Sequence, residues 1–206
     1  MNFCLLGATG RVGSVILESA LSQHHFVHVV VRDRNKLTID HPNLQVIEGN
    51  ALNEKDLAEA LKGTNAVISA LNTDGSTTLS NATPIIVNQM KMQGIQRIIT
   101  IGTAGILQAR SNPRIYRFQA AESKRKTTKD AEEHLKAYIT LKDSGLDWTI
   151  VCPTYLPTGE RMGVYRYEKN YLPLNPSSIS IYDTADFAYK QLESREFIRE
   201  RVGLTY

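Results

Sequence analysis

Short apolar runs alternate with longer stretches of helical periodicity along most of the chain. "NFCLL" reads as a first strand, and Arg11 to Ser22 follow as a helix with Val12, Val15, Ile16 and Leu21 on roughly one face. "FVHVVVR" is the second strand and "LQVIEG" the third. "NEKDLAEALKG" predicts a helix: Asn53 can cap it, Leu57 and Leu61 stand one turn apart, and Gly63 ends it. "AVISAL" is the fourth strand. A helix from about Thr83 to Gln93 is expected next, closed by Gly94, with Pro84 in its first turn. "RIITIGT" reads as the fifth strand and "DWTIVCP" as the sixth. Between them lie a linker from Ala104 to about Lys126 and a helix from about Thr128 to Ser144, stopped by Gly145. So long a connection inside a compact domain is often an active-site lid or flap. After Pro153 the pattern is irregular; then "GVYRY" alternates, Asp183 or Thr184 can cap a last helix through Leu192, and "RVGLTY" reads as a final strand.

Strands that are near-continuous apolar runs, separated by helices, predict a parallel sheet covered on both faces. The expected fold is one α/β doubly wound, Rossmann-like domain over residues 1–206, with strand order 3-2-1-4-5-6, an extra C-terminal strand and a substrate-side segment around 153–182. In such sheets the ligand crevice lies at the carboxyl ends of the strands, where the order reverses.

Composition narrows the class. The chain has 206 residues, 42% hydrophobic and 22% charged, with a net charge of +3, which points to neither nucleic acid nor a membrane. The basic run "ESKRKTTK" (Lys124, Arg125, Lys126, Lys129) reads as a solvated loop and helix start. Cys4 and Cys152 sit in apolar runs as small core residues, and unpaired thiols suit a reducing cytoplasm. His24, His25, His28, His41 and His134 show no zinc spacing, so no metal is expected.

"GATGRVG" joins the first strand to the first helix. Gly7 allows the sharp turn, Gly10 lets backbone amides approach a pyrophosphate, and Gly13 lets the helix pack tightly. The free N–H groups of the first helical turn and the helix dipole then hold phosphates, which places Thr9, Arg11 and Val12 in the same set. The Gly-x-x-Gly-x-x-Gly spacing, followed in order by "VVVRDRNKL", "VIEGNAL", "NAVISAL", "MKMQGIQRIITIGTAG", "LKDSGLDWTIVCP" and "ISIYDTADFA", resembles the atypical short-chain dehydrogenases. Within that group it is similar to the NmrA-like proteins, NAD(P)H-flavin reductases and biliverdin-IXβ reductase.

The resemblance implies an NADPH-binding single-domain reductase. Arg32 stands where that group places its 2′-phosphate arginine, and Lys36 matches a second basic position. Asp33 speaks the other way: a strand one residue longer would bring it to the ribose and favour NAD, the less expected cofactor. Asn50 and Ala51 are placed beside the adenine, with Asn50 where the group usually has aspartate. Leu71 and Asn72 are placed near the pyrophosphate or the nicotinamide ribose, and Thr103 and Pro153 complete the cofactor set.

Catalysis is the open question. The short-chain dehydrogenases use a Tyr-x-x-x-Lys pair on a helix, and "YRYEK" places Tyr165 and Lys169 at that spacing. The segment is too short and too alternating for a helix, so it reads as a strand and the match as coincidence. Lys129 falls where the group's lysine stands on its helix, but Arg125 occupies the tyrosine position. Without an acid–base tyrosine, alcohol oxidation is disfavoured, and a planar conjugated acceptor such as a flavin, quinone or tetrapyrrole suits the site better. Thr103 keeps a hydroxyl at the serine position, and Tyr155 sits where the biliverdin-type reductases carry a histidine near substrate. Tyr155 is equally well read as a loop tyrosine. Tyr116 and Phe118, in the long linker, are candidates to cover the acceptor, and Tyr165 to line its pocket. Two readings remain: a cytoplasmic NADPH-dependent reductase, monomeric or a small homo-oligomer, and a non-catalytic NADP(H)-binding redox sensor.

Overall fold

A computed structural model describes residues 1–73, 75–123 and 126–206. Its strands are β1 (Asn2–Leu6), β2 (Phe26–Val31), β3 (Leu44–Glu48), β4 (Ala66–Ser69), β5 (Arg97–Ile101), β6 (Asp147–Pro153), β7 (Arg166–Lys169) and β8 (Glu200–Thr205). They form one sheet in the order β3-β2-β1-β4-β5-β6-β8-β7, as expected for the first six strands. All neighbours are parallel except β7, which closes the edge antiparallel to β8. The helices are α1 (Arg11–Ser22), α2 (Glu54–Leu61), α3 (Thr78–Met92), α4 (Lys129–Lys142) and α5 (Ile181–Lys190). α1 packs on α5 on one face; α2, α3 and α4 pack in a row on the other. Strand residues therefore feed two cores alternately: Phe3 and Leu5 join the α1/α5 side, Cys4 and Leu6 the α2/α3/α4 side. Such strands need apolar residues at every position, which is why their runs are unbroken.

Local chemistry sets most helix ends. The Asn53 side chain accepts N–H bonds from Lys55 (2.9 Å) and Asp56 (3.4 Å) at the start of α2. Two ends differ from expectation. α3 starts at Thr78 rather than Thr83, so Pro84 lies inside it. Pro84 has no N–H for the Ser80 carbonyl, yet the added turn is held from outside. The buried Glu133 of α4 accepts the Ser80 hydroxyl (2.8 Å) and amide (3.4 Å). α5 is capped by Ser180, whose hydroxyl accepts the Asp183 N–H at 3.1 Å, not by Asp183 or Thr184.

Asp183 is a clamp instead. It is fully buried, and its carboxylate accepts N–H bonds from Met162 (2.9 Å) and Gly163 (3.0 Å) and the Tyr206 hydroxyl at 2.6 Å. Burial raises the carboxyl pKa, but the bonds from Tyr206, Met162 and Gly163 outweigh it and hold the group below the usual carboxylate range.

The long linker is folded, with 3-10 turns at Ala104–Ile106, Arg117–Gln119 and Ala121–Ser123. Arg201 of β8 supports it. Its guanidinium lies 4.4 Å from the centre of the Tyr138 ring and 5.6 Å from that of Tyr116, and donates to the Ile106 carbonyl and to Gln108 Oε1. Tyr116 and Phe118 stack on each other, and Tyr116 meets Tyr138 edge-on, so these rings pack on the body. Of the basic run, Lys124 and Arg125 lie outside the described residues.

Asp183→Asn should lower the unfolding free energy at pH 7 by about 1–3 kcal/mol, the cost of disturbing a buried hydrogen-bonded charge. Because the folded pKa is depressed, this stabilisation is present above the unfolded value of about 3.9 and lost as pH falls through the folded one. Denaturant titrations of both proteins should therefore differ at pH 7 and converge in acid; equal stability at pH 7 contradicts the clamp.

Candidate active site

The carboxyl edge of the sheet gathers the expected residues in spatial order. Asn50 and Ala51 follow β3, Arg32 and Lys36 follow β2, and the glycine loop follows β1. Leu71 and Asn72 follow β4, Thr103 follows β5, and Pro153 ends β6 with Tyr155 just beyond. Adjacent strands are about 4.8 Å apart, so β3 to β6 spans about 24 Å. That is an elongated groove for an extended ligand.

The centre is a close approach of backbones. Gly7 has φ +79°, and a Cβ there would stand 2.5 Å from the Ala70 carbonyl oxygen. A Cβ on Gly13 would stand 2.0 Å from the Gly7 oxygen. Gly10 is different: its Cβ would meet Gly7 O at 3.2 Å and Ala70 O at 4.0 Å, with no closer neighbour. Gly7 and Gly13 are glycine because protein fills the space, and Gly10 borders the open side. No side chain caps α1 at Gly10, so its first amides are left for a ligand, which fits the pyrophosphate of a dinucleotide. Val12 is buried and anchors the turn, whereas Thr9 and Arg11 are exposed. The Arg11 Nη1 donates to the Leu156 carbonyl at 3.0 Å.

Around the loop, each side chain has a local role. The Asp33 carboxylate accepts the Asn35 N–H at 3.0 Å and caps the turn Arg34–Lys36. Arg32 and Lys36 are exposed beside it. The Asn50 side chain accepts the Leu52 N–H at 3.0 Å, and the Asn50 amide donates to Asp56 at 2.7 Å. Asp56 was not singled out in the sequence. Asn72 Oδ1 accepts the Thr73 N–H (2.9 Å), and the Thr73 hydroxyl donates to Asp130 of α4 (2.9 Å). Thr103 is buried at the head of the Ala104–Ile106 turn, where its hydroxyl accepts the Gly105 N–H at 3.4 Å. Beneath it the Cys152 thiol is pushed up to about 12 by burial, and is an inert core group.

Beyond the ends of β5 and β6 opens a cleft of about 710 Å³. Ala104, Thr154, Tyr155 and Leu174 line it, with Arg110 and Arg117 from the linker. Tyr155 is 73% exposed, so its ring is available to a ligand. Glu122 organises the linker wall: it accepts the amides of Arg110 (3.1 Å) and Ser111 (3.3 Å) and pairs with Arg117 at 3.4 Å. Arg110 also donates to the Leu172 carbonyl and pairs with Glu168. Neither arginine was found from the sequence; the only signal was the length of the linker that carries them.

Tyr165 does not line this cleft. Its hydroxyl donates to Asp186 at 2.9 Å and its ring meets Phe187 edge-on; burial, then Asp186, raises its pKa well above the ordinary phenol value. Lys169 donates to the Glu196 carbonyl at 3.1 Å and lies over the Phe197 ring. Tyr165, Tyr167 and Lys169 thus form one stripe, alternate residues on one face of a strand edge, laid on Phe187 and Phe197. Lys129 opens α4. Arg125, at the tyrosine position of the missing helical pair, lies outside the described residues.

Residues 7–195 match the family model described as NAD(P)H-binding. The chain belongs to this family. A curated relative, the uncharacterized protein YwnB of Bacillus subtilis, is 26% identical over 212 residues, covering 95% of this chain and 92% of YwnB. A structure from Bacteroides thetaiotaomicron, described as an epimerase, is 28% identical with a TM-score of 0.86 and covers 100% of this chain and 96% of its own. One from Streptococcus pneumoniae, described as an NADH-flavin reductase, is 24% identical with a TM-score of 0.81 and covers 100% and 99%. Among the described residues, no cluster of three or more His, Cys, Asp or Glu is arranged to hold a metal, and no helix is long and apolar enough to cross a membrane.

Gly10→Val should lose NADP(H) binding by more than about 100-fold, because the valine methyls enter the phosphate space; its Cβ would already stand a tight 3.2 Å from the Gly7 carbonyl oxygen, so thermal unfolding of the variant is measured beside binding. Tyr165→Phe and Lys169→Met should each keep turnover within a few-fold, against the roughly 10²-fold or greater loss expected of a general acid–base group. Fluorescence titration with NADPH and steady-state rates check these outcomes. Retained binding in the first variant, or a large loss in both of the others, contradicts the assignment.

Proposed function

We propose that the protein is an NADPH-dependent reductase that passes hydride to a planar conjugated acceptor of flavin, quinone or tetrapyrrole type. As an NAD(P)H-binding oxidoreductase it is built on a single domain whose segment 153–182 supplies the acceptor side. The observation that carries the reading is the position of the cleft. It continues the cofactor edge past Thr103 and Pro153, and no tyrosine–lysine pair faces it among the described residues.

When bound, the nicotinamide supplies the hydride; the chain supplies placement and shielding. Thr103, buried beside the cleft wall at Ala104, is proposed to hydrogen-bond the carboxamide or the acceptor. Tyr155 is proposed to stack on the acceptor or donate to it. A conjugated acceptor delocalises the incoming charge, so solvent can deliver the proton and no side-chain acid is required. Arg110 and Arg117 line the cleft together with Glu122, and both are paired with carboxylates, so the wall offers polar contacts rather than a net positive charge.

NADPH is preferred over NADH in this reading. Arg32 and Lys36 supply positive charge at the end of β2, and the Asp33 carboxylate is engaged in capping the turn Arg34–Lys36. Arg32 is proposed to grip the 2′-phosphate bidentately. Asn50, Ala51, Leu71 and Asn72 are proposed to flank the adenine and the central part of the cofactor, as their order along the edge supports.

NADPH oxidation followed by absorbance against FMN, riboflavin, quinones, tetrapyrroles and dichlorophenolindophenol tests the class. Turnover with at least one planar acceptor is expected; tight NADP binding with no oxidation of NADPH by any acceptor favours a sensor instead. Arg32→Ala should weaken NADPH by about 10- to 100-fold, the scale of one charge-assisted phosphate bond of roughly 1.5–3 kcal/mol, and leave NADH nearly unchanged. Equal losses for both cofactors remove the 2′-phosphate role.

A further inference from the structure

Among the described residues, one side-chain hydrogen bond joins the phosphate loop to the acceptor side, made by Arg11. It is the first residue of α1, directly after Gly10, and its Nη1 donates to the carbonyl of Leu156, 145 residues away in sequence. Leu156 follows Tyr155, whose ring lines the acceptor cleft. The segment 154–163 is hydrogen-bonded to the first residue of α1 and the first residue of α5, two helices that pack against each other. On the α5 side it is held firmly. The Tyr155 carbonyl accepts the Ile179 N–H at 2.9 Å, and the Pro157 and Thr158 carbonyls share the Ile181 N–H at 3.2 and 3.3 Å. The buried Asp183 grips the amides of Met162 and Gly163. On the α1 side, Arg11 makes the described hydrogen bond.

A guanidinium has five N–H donors in a rigid fork. Only Nη1 of Arg11 makes a hydrogen bond among the described residues, so Nε and Nη2 are left for a second partner. The side chain begins at the N-terminus of α1, where the uncapped amides offer their place to a pyrophosphate. The same fork therefore has donors for both a phosphate oxygen and the Leu156 carbonyl. We propose that Arg11 is a positioning residue that bridges the bound cofactor's pyrophosphate to the acceptor-side segment, so that cofactor binding orders the strip carrying Tyr155. The inference rests on the NADP(H)-binding reading and goes beyond it by making the two sites thermodynamically coupled. Coupling of that kind is reciprocal: a cofactor that steadies the segment favours the acceptor, and an acceptor favours the cofactor. A lysine at this position keeps the charge but not the fork, so it separates simple attraction from bridging.

The test is hydrogen–deuterium exchange of the 154–163 amides with and without NADP⁺, in the wild type and in Arg11→Lys, each saturated as judged by its own titration. Arg11 is exposed, so the substitution leaves the core intact. In the wild type, NADP⁺ should slow exchange around residues 154–158 by about tenfold, the scale of one hydrogen bond. In saturated Arg11→Lys that protection should largely vanish, and the acceptor KM should rise by more than kcat falls. The amides of Met162 and Gly163, held by Asp183, should be slow throughout. Equal protection in both proteins, or none in a wild type that binds NADP⁺, overturns the bridge and leaves the cofactor reading intact. A wild type that fails to bind NADP⁺ overturns the cofactor reading and the bridge together.

Discussion

Everything at the working edge depends on three backbones meeting without side chains between them. The end of β1, the first turn of α1 and the end of β4 come within van der Waals contact at Gly7, Gly13 and Ala70. A single methyl group at Gly13 would stand 2.0 Å from the Gly7 oxygen, so the helix would have to back away from the sheet. With the helix seated, its uncapped amides point into the groove and the dipole sets the sign of the ligand. The order of the sheet then distributes the remaining contacts. Basic residues come at the end of β2, and Thr103 and Tyr155 fall beyond β5 and β6, where the cleft opens.

The cleft beyond β5 and β6 depends on charged groups used structurally. Arg201 supports the linker from beneath, Glu122 ties its turns, and Asp183 fixes the segment after β6. Each is a charged group with several hydrogen bonds, and each holds backbone, Glu122 adding an ion pair with Arg117. That arrangement keeps irregular chain in place where no strand or helix does so. It also gives the cleft of about 710 Å³ a wall of irregular chain.

The elements whose cause is local were legible in the sequence. Doubly buried strands appear as unbroken apolar runs, Asn53 announces α2, and the glycine spacing announces the loop. "YRYEK" was readable as a strand because Tyr165 and Tyr167 alternate, and Arg166–Lys169 is one. What the sequence could not convey was support across the fold. The first turn of α3 is held by Glu133 of α4, and a reader seeing Pro84 starts the helix too late. Asp183 looks like a helix cap because its partners, Met162 and Tyr206, are distant along the chain. Tyr165 was expected in the acceptor pocket, but Asp186 and Phe187 draw it to α5. Arg110 and Arg117 face the cleft only because the linker folds back through its turns, a path no periodicity encodes.

The central claim is hydride transfer from a nicotinamide held along this edge to an acceptor lying across the Tyr155 cleft. The most direct measurement compares turnover with NADPH deuterated on one or the other face of C4, at saturating acceptor and in single-turnover mixing. A groove that fixes the ring in one orientation predicts a primary isotope effect with one labelled form and none with the other. Equal isotope effects from both faces, or no hydride loss from NADPH bound to the protein with any acceptor, would contradict the account.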